Sequence, residues 1–185
     1  QWAVLSISGP NSREFLKDLT NIDLSKENFP FMKFREGEVC GVKARIFRIS
    51  FTGELSYEVN VPARYGRYVW EKFMEHGKKY NITPYGTETM HVLRAEKGFI
   101  IVGQDTDGSV TPSDMNMDWI VSKKKVDFLG KRSFTRSDTV RHDRKKFVGL
   151  LVNDKKTILP EGSHIVEKAL KQPPMKMLGL SLIHI

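Results

Sequence analysis

The chain has 185 residues and a formal net charge of +8, with 39% hydrophobic, 10% aromatic and 28% charged residues. That length suffices for one domain, or for one domain and part of a second, and the apolar content is enough for a core. The single cysteine, Cys40, excludes an intramolecular disulfide and a cysteine zinc site, and it favours a reducing compartment. No apolar run approaches about 18 residues, so we expect no membrane span, no signal peptide and a cytoplasmic location.

The positive charge is compatible with an anionic partner, or with membership of a larger and more nearly neutral protein. Basic residues are scattered along the chain, apart from short clusters at 123–125 and 141–146. No basic stretch is interleaved with aromatic residues in the way that is typical of single-strand binders. We therefore expect no nucleic-acid partner.

The first part of the chain mixes short strands with helices. In chain order, the pattern predicts a strand at 1–8, a helix at 12–19, a hairpin or two adjacent strands at 31–39 and 42–51, a strand at 56–61 and a helix at 64–78. A steady alternation of strand and helix is missing, and this favours the α+β class. The aromatic stripe of the helix at 64–78 is interpreted as core packing.

The strand at 56–61 carries the carboxylate of greatest interest, Glu58. Strict alternation places Tyr57 and Val59 on one face of this strand and Ser56 and Glu58 on the other. On pattern alone, a solvated side chain is the favoured interpretation of Glu58. The functional alternative is a carboxylate directed into a cavity, where it accepts two parallel hydrogen bonds from a flat heterocycle such as a pterin.

Residues 85–108 predict a compact helix, turn and strand whose polar ends line a pocket. We expect Thr87 to cap the helix and Gly98 to end it in the left-handed conformation. Residues 99–102 are too short for a helix and apolar enough for a buried strand.

The remainder of the chain predicts a connection and a small β-domain. We divide the chain into a domain at 1–121, a basic connector at 122–143 and a β-domain that starts at 144. A short helix is predicted at 130–135, and strands are predicted at 147–152 and 163–166. The roughly 40 residues from 144 onward offer too few strands to close a barrel or sandwich.

Motifs of common enzyme classes are missing from the sequence. The five histidines form no HExxH and no spaced His/Cys set, so no metal site is predicted. A GxSxG elbow, a GxGxxG fingerprint and a GxxxxGK[ST] loop are also missing.

Residues 48–59 (Arg-Ile-Ser-Phe-Thr-Gly-Glu-Leu-Ser-Tyr-Glu-Val) resemble the RxGYTGExGxE element of the glycine-cleavage T-protein (aminomethyltransferase, GcvT) family of folate-binding proteins. The resemblance implies an antiparallel sheet with helices, N-terminally incomplete, followed by a truncated C-terminal β-barrel. In this family the second glutamate of the TGExxxE element binds the pterin of tetrahydrofolate. The matching residue is Glu58, so the resemblance favours its functional interpretation and suggests Tyr57 and Tyr65 as pocket neighbours.

Residues 85–108, together with 29–32 and 45–54, are more similar to one branch, the alpha subunits of four-subunit flavoenzymes that oxidise N-methylglycine. This resemblance implies a parent enzyme that yields glycine and hydrogen peroxide and passes the one-carbon unit to tetrahydrofolate, giving 5,10-methylenetetrahydrofolate. It also implies that FAD, FMN and NAD bind elsewhere in the complex and that beta, gamma and delta subunits are the partners. The family's catalytic aspartate lies upstream, so catalytic residues stay unassigned and we expect the isolated chain to lack oxidase activity.

Three departures from the family pattern bear on the alternatives. Met90 stands where aminomethyltransferases carry an arginine for the glutamate tail of folate, which disfavours a true aminomethyltransferase. Residues 97–105 resemble the KGCYxGQE element of folate-binding tRNA-modification proteins but lack its cysteine. Residues 179–185 fit no barrel strand and are interpreted as a foreign tail. An aminomethyltransferase and a non-enzymatic folate- or RNA-associated module are kept as alternatives.

Overall fold

A four-stranded antiparallel sheet organises the first of two units, residues 1–99, in the computed structural model. The structure describes residues 1–154, 156–160, 162–171 and 175–180. The sheet strands are β1 (Trp2–Ser8), β2 (Phe34–Val39), β3 (Val42–Phe47) and β4 (Ser56–Pro62). Their spatial order is β1-β4-β3-β2, so β4 is an interior strand. The predicted α+β class is confirmed.

Strands β2 and β3 form the predicted hairpin. Its two turn residues, Cys40 and Gly41, have positive φ angles of 51° and 75°, as a two-residue type I′ turn requires. Both strands are shorter than predicted, because β2 begins at Phe34 and β3 ends at Phe47.

Three helices accompany the sheet: α1 (Ser12–Lys17), α2 (Gly66–Gly77) and α3 (Thr87–Glu96). Helices α1 and α2 contribute Phe15, Leu16, Val69 and Phe73 to the core, where the rings of Phe15 and Phe73 meet edge to face at 5.3 Å. Burying each such side chain stabilises the fold by about 1.5–3 kcal/mol. Val69 and Phe73 of the predicted stripe therefore pack in the core, whereas its members Tyr65 and Trp70 are exposed, so that prediction is confirmed only in part.

The sheet has one closed and one open face. Side chains of the closed face belong to the buried core, including Leu5, Ile46 and Val59. Alternate residues, such as Val4 of β1 and Phe34 of β2, point to the open face and are more than half exposed. Glu58 belongs to this open face, because it alternates with Val59 along β4.

Two predictions for residues 85–108 are wrong and one is confirmed. Gly98 ends α3 with φ of 70°, as predicted. Thr87 is the first helical residue and makes no capping hydrogen bond, since Gly86 occupies the cap position. Residues 99–102 form no strand, because the Asp105 carboxylate and the Ile101 backbone close a turn on each other instead.

The second unit, residues 100–185, contains little regular structure among its described residues. Short 3₁₀ turns lie at Asp118–Ile120 and Lys131–Thr135, the latter confirming the short helix predicted there. A two-stranded antiparallel sheet joins β5 (His164–Val166) to β6 (Met177–Leu180). Thus the strand predicted at 163–166 is confirmed.

The strand predicted at 147–152 is wrong. The backbone N–H of Phe147 donates to the Asp114 carbonyl at 2.7 Å, and its carbonyl accepts from Asn116 at 2.9 Å, so a loop uses these groups. The boundaries predicted at 121 and 143 stay predictions, and the predicted foreign tail lies largely outside the described residues. Among the described residues, no helix is long and apolar enough to cross a membrane, and no three acidic, histidine or cysteine side chains gather as metal ligands.

Candidate functional site

Glu58 lies near the centre of the open face. The register places Ser6 of β1 and Phe47 of β3 directly opposite it, one on each side. Directly opposed residues of antiparallel strands share a face, with Cβ atoms about 4.5–5.5 Å apart. The site therefore combines a carboxylate, a hydroxyl and an aromatic ring from three strands.

The carboxylate of Glu58 is half-buried, and no described residue forms an ion pair or side-chain hydrogen bond with it. Asn60 donates only to the Glu58 backbone carbonyl, at 3.4 Å. Beside it, the ring of Phe47 stacks on Phe34 with centroids 5.6 Å apart and planes inclined by 26°. Such a surface suits a flat molecule that carries hydrogen-bond donors on its edge.

A chain of hydroxyl groups lies two residue pairs along from Glu58, at the next position on the same face, where β1 ends and β4 begins. The hydroxyl oxygens of Ser8 and Ser56 are 2.9 Å apart, and the Tyr85 hydroxyl is 3.2 Å from that of Ser8. Tyr85 precedes α3, so the segment expected to line a pocket does reach the face that carries Glu58.

The connection between β3 and β4 is fixed from two sides. The Leu55 carbonyl accepts hydrogen bonds from the Gly9 backbone and from the Ser12 hydroxyl, both at 2.9 Å. The side chain of Lys97 packs over Gly53, and its ammonium lies 3.0 Å from the Glu54 carboxylate. The last residues of this connection are thus held where β4, and with it Glu58, begins.

The structure does not bring Tyr57 and Glu58 together. Tyr57 is completely buried on the closed face, and its hydroxyl accepts a hydrogen bond from Arg13 Nε at 3.1 Å. Tyr65 follows the far end of β4, is 36% exposed, and has the Arg64 guanidinium 4.8 Å from its ring centre. A ligand contact of either tyrosine stays a prediction.

Sequence reasoning identified Glu58 but missed four of its surroundings: Ser6, Ser8, Phe47 and Tyr85. Residues 5–8 alternate apolar and hydroxyl side chains, so the sequence does signal that Ser6 and Ser8 share one face. Nothing in the pattern says which strand lies beside β4, or in which register. The neighbours of Glu58 therefore required the tertiary structure.

Comparison with known proteins identifies relatives over most of the chain. A family model described as the GCVT N-terminal domain matches residues 1–125. The sarcosine oxidase subunit alpha of Corynebacterium sp. (strain U-96) is 54% identical over 168 residues, which are 90% of this chain and 17% of that protein. The corresponding subunit of Rhizobium meliloti (strain 1021) is 39% identical over 170 residues, which are 91% of this chain and 17% of that protein.

A more distant relative is the aminomethyltransferase of Halothermothrix orenii (strain H 168 / OCM 544 / DSM 9562). It is 32% identical over 135 residues, which are 73% of this chain and 37% of that enzyme. The chain thus spans less than one fifth of the length of the sarcosine oxidase subunits that it matches.

Proposed function

Because the chain belongs to the GCVT N-terminal domain family, we propose that it binds tetrahydrofolate and that Glu58 holds the pterin ring. The observation that carries this proposal is a half-buried carboxylate, without a side-chain partner among the described residues, at the centre of the open face. A buried or half-buried carboxylate normally has donors around it, since burial without them is unfavourable. Donors on a ligand would fill this role.

The edge of a pterin matches the chemistry of Glu58. It presents a ring N–H and an amino group side by side, and a carboxylate accepts both in two parallel, charge-assisted hydrogen bonds. The ring of Phe47 beside Glu58 offers an apolar surface for the flat heterocycle. Ser6, on the other side, supplies a hydroxyl that can donate or accept.

Similarity to sarcosine oxidase alpha subunits supports a role within a larger enzyme. That enzyme would demethylate sarcosine oxidatively to glycine with hydrogen peroxide, and would pass the one-carbon unit to tetrahydrofolate. The task of this domain is to hold the folate nitrogens where the unit arrives, which makes the transfer effectively intramolecular. FAD, FMN and NAD would bind outside this chain, with beta, gamma and delta subunits as partners, and residues 144–185 would belong to the family's C-terminal β-barrel.

A true aminomethyltransferase is the weaker candidate. Met90, half-buried on α3, offers no cation where that activity's family members carry an arginine for the folate tail. On the favoured proposal the isolated chain shows no oxygen uptake with sarcosine.

Calorimetric titration with tetrahydrofolate tests the site. We expect Glu58→Ala to weaken binding at least tenfold, because two hydrogen bonds to a charged group are lost, each worth about 1.5–3 kcal/mol. Glu58→Gln should also bind poorly, since its amide replaces one acceptor with a donor.

Glu38→Ala is the matched control, since Glu38 pairs with Lys43 on the same open face but at the exposed edge of the sheet. It should retain wild-type affinity. Equal affinity of wild-type protein and Glu58→Ala, or no binding by a folded wild-type chain, would contradict the proposal.

A further inference from the structure

Three arginines surround a group of aromatic rings near the end of β3. The guanidinium carbon of Arg48 lies 5.3 Å from the ring centre of Tyr57 and 5.9 Å from that of Phe31. Arg13 donates to the hydroxyl of the same tyrosine at 3.1 Å. The guanidinium carbon of Arg35 lies 5.5 Å from the ring centre of Phe29, and the ring centres of Phe29 and Tyr57 are 6.0 Å apart. We call these three arginines and three aromatic residues the arginine–aromatic cluster.

No arginine of this cluster has a carboxylate partner among the described residues. Other arginines of the same unit do, since Arg45 pairs with Glu36 at 2.6 Å and Arg67 with Glu71 at 2.8 Å. Arg13 and Arg48 are half-buried, so they carry positive charge that is partly withdrawn from water and is not neutralised by the chain. Like charges gathered in this way disfavour each other, and an anion between them relieves the cost.

Buried hydrogen-bonding groups occur at Arg48 and in the residues that follow it. Arg48 Nε and the hydroxyls of Ser50 and Thr52 are buried without a hydrogen-bond partner among the described residues, and Thr52 is only 1% exposed. All three lie at alternate positions of the connection between β3 and β4. Buried donors in native proteins are nearly always satisfied by protein, water or an ion, so this set calls for an occupant that accepts hydrogen bonds.

We propose that the arginine–aromatic cluster binds a small oxyanion, a carboxylate or a phosphate, through Arg13 and Arg48. Guanidinium groups match the oxygen pairs of such anions, and packing against aromatic rings holds the guanidinium planes in place. Phe31 and Arg35 are exposed, so solvent reaches the edge of the cluster. The anion lies on the side of Tyr57, the closed-face residue, and so differs in position from the site at Glu58.

Thermal unfolding in different anions tests this site. We expect phosphate or acetate to raise the melting temperature of the wild-type chain by several degrees over chloride of equal ionic strength, because an anion bound only to the folded state stabilises it. Arg48→Gln should abolish that rise. Arg13→Gln, which leaves the ring contacts of Arg48 intact, should reduce it if Arg48→Gln fails to fold. Arg67→Gln, which removes an exposed and paired arginine, should retain the rise.

The source of the oxyanion follows from two further titrations. If it is a glutamyl carboxylate of folate, Arg48→Gln weakens tetrahydrofolate about tenfold but leaves tetrahydropterin, which has no glutamate, unchanged. If it is a separate anion, Arg48→Gln changes neither affinity and loses only the response to phosphate or acetate. The folate titration rests on the proposed function, whereas the anion response does not and should survive in Glu58→Ala. The proposed anion site would be overturned if the Arg13→Gln and Arg48→Gln variants fold, respond to phosphate and acetate as the wild-type chain does, and bind tetrahydrofolate with the same affinity.

Discussion

Glu58 and Tyr57 are adjacent in sequence and serve opposite sides of the sheet. Tyr57 is completely buried in the core beside Arg13 and Arg48, while the Glu58 carboxylate faces outward from the open face. The position of Glu58 depends on backbone geometry, since no described side chain holds its carboxylate. Residues that fix the start of β4 therefore help to position Glu58, although they do not contact its carboxylate.

Gly53 is such a residue, and its replacement by alanine should destabilise the chain by about 1–3 kcal/mol or more. Its φ of 75° is unfavourable for alanine, and a Cβ there would lie 2.6 Å from Lys97 Cγ. Gly41 has the same φ, but a Cβ at that position would meet no atom within 4 Å, so Gly41→Ala carries only the backbone cost. Urea denaturation should show the larger loss for Gly53→Ala.

Lys97→Ala separates the two costs at Gly53. By itself it removes an exposed ion pair with Glu54, which contributes at most about 1 kcal/mol. In the Lys97→Ala background, Gly53→Ala should lower the free energy of unfolding by an amount closer to that of Gly41→Ala. The clash with Lys97 is then relieved, whereas the backbone cost of alanine at a positive φ angle is not. Equal losses for Gly53→Ala and Gly41→Ala would show that Lys97 does not constrain the connection.

At the scale of elements, residues 109–144 are ordered by an ion pair. Arg144 Nη2 donates to Asp114 Oδ2 at 2.6 Å and to the Ser109 carbonyl at 2.7 Å, and Nη1 donates to Asp138 at 2.8 Å. The side chains of Asp114 and Arg144 are only 8% and 14% exposed. One arginine thus joins three points of a segment that has only short 3₁₀ turns among its described residues.

This ion pair should make the stability of the segment sensitive to acid. Hydrogen bonds from Arg144, and secondarily from Thr111, hold the pKa of Asp114 well below its ordinary value despite its burial. Because the pKa of Asp114 is lower in the folded chain than in the unfolded chain, where it is about 4, the ionised carboxylate stabilises the fold above about pH 4. This contribution to stability is lost progressively as the pH falls from about 4 toward the pKa of the folded state. Asp114→Asn should lower the melting temperature by roughly 5–10 °C at pH 7, and the difference should narrow progressively below about pH 4.

Asp138→Asn is the control for that series, since Asp138 pairs with the same arginine but is 66% exposed. We expect it to change the melting temperature by no more than about 2–4 °C, as is typical of surface ion pairs. A difference between Asp114→Asn and wild type that stays constant from pH 7 to pH 3 would contradict the role assigned to the ionised Asp114.

At the scale of the whole molecule, burial differs between the two units. The first unit contains a continuous core of fifteen buried residues, spread over the sheet and helices. In the second unit, Met115 is the only hydrophobic residue among those described that is buried. Among the described residues of this unit, hydrogen bonds and ion pairs therefore carry a larger share of the order than apolar packing does.

Hydrogen exchange should report this difference. Amides of β3 and β4 should exchange slowest, because they lie in hydrogen-bonded strands over the core. Amides of residues 148–154 should exchange fastest among those of the described residues, since this stretch is exposed and forms no strand. Exchange at neutral pH followed by mass spectrometry measures both, and similar protection of the two stretches would contradict the expectation.

Local features of this protein can be predicted from its amino-acid sequence. Alternation along 56–61 established which side of β4 carries Glu58, and the residues around Cys40 specified a hairpin. Such features depend on side chains a few positions apart, whose periodicity and turn preferences are visible in the chain. The resemblance of residues 48–59 to a folate-binding element suggested the identity of the ligand, which periodicity and turn preferences do not indicate.

Contacts between distant residues, in contrast, depend on how the whole chain packs. Ser6 and Phe47 flank Glu58 because of strand order and register, and Arg144 reaches Asp114 across 30 residues of chain. The apolar runs at 99–102 and 147–152 fail as strands because a strand requires a hydrogen-bonded neighbour, and the backbone groups of Ile101 and Phe147 bond within a turn and a loop instead. Neighbours are a property of the whole packed chain, so short-range patterns cannot specify them.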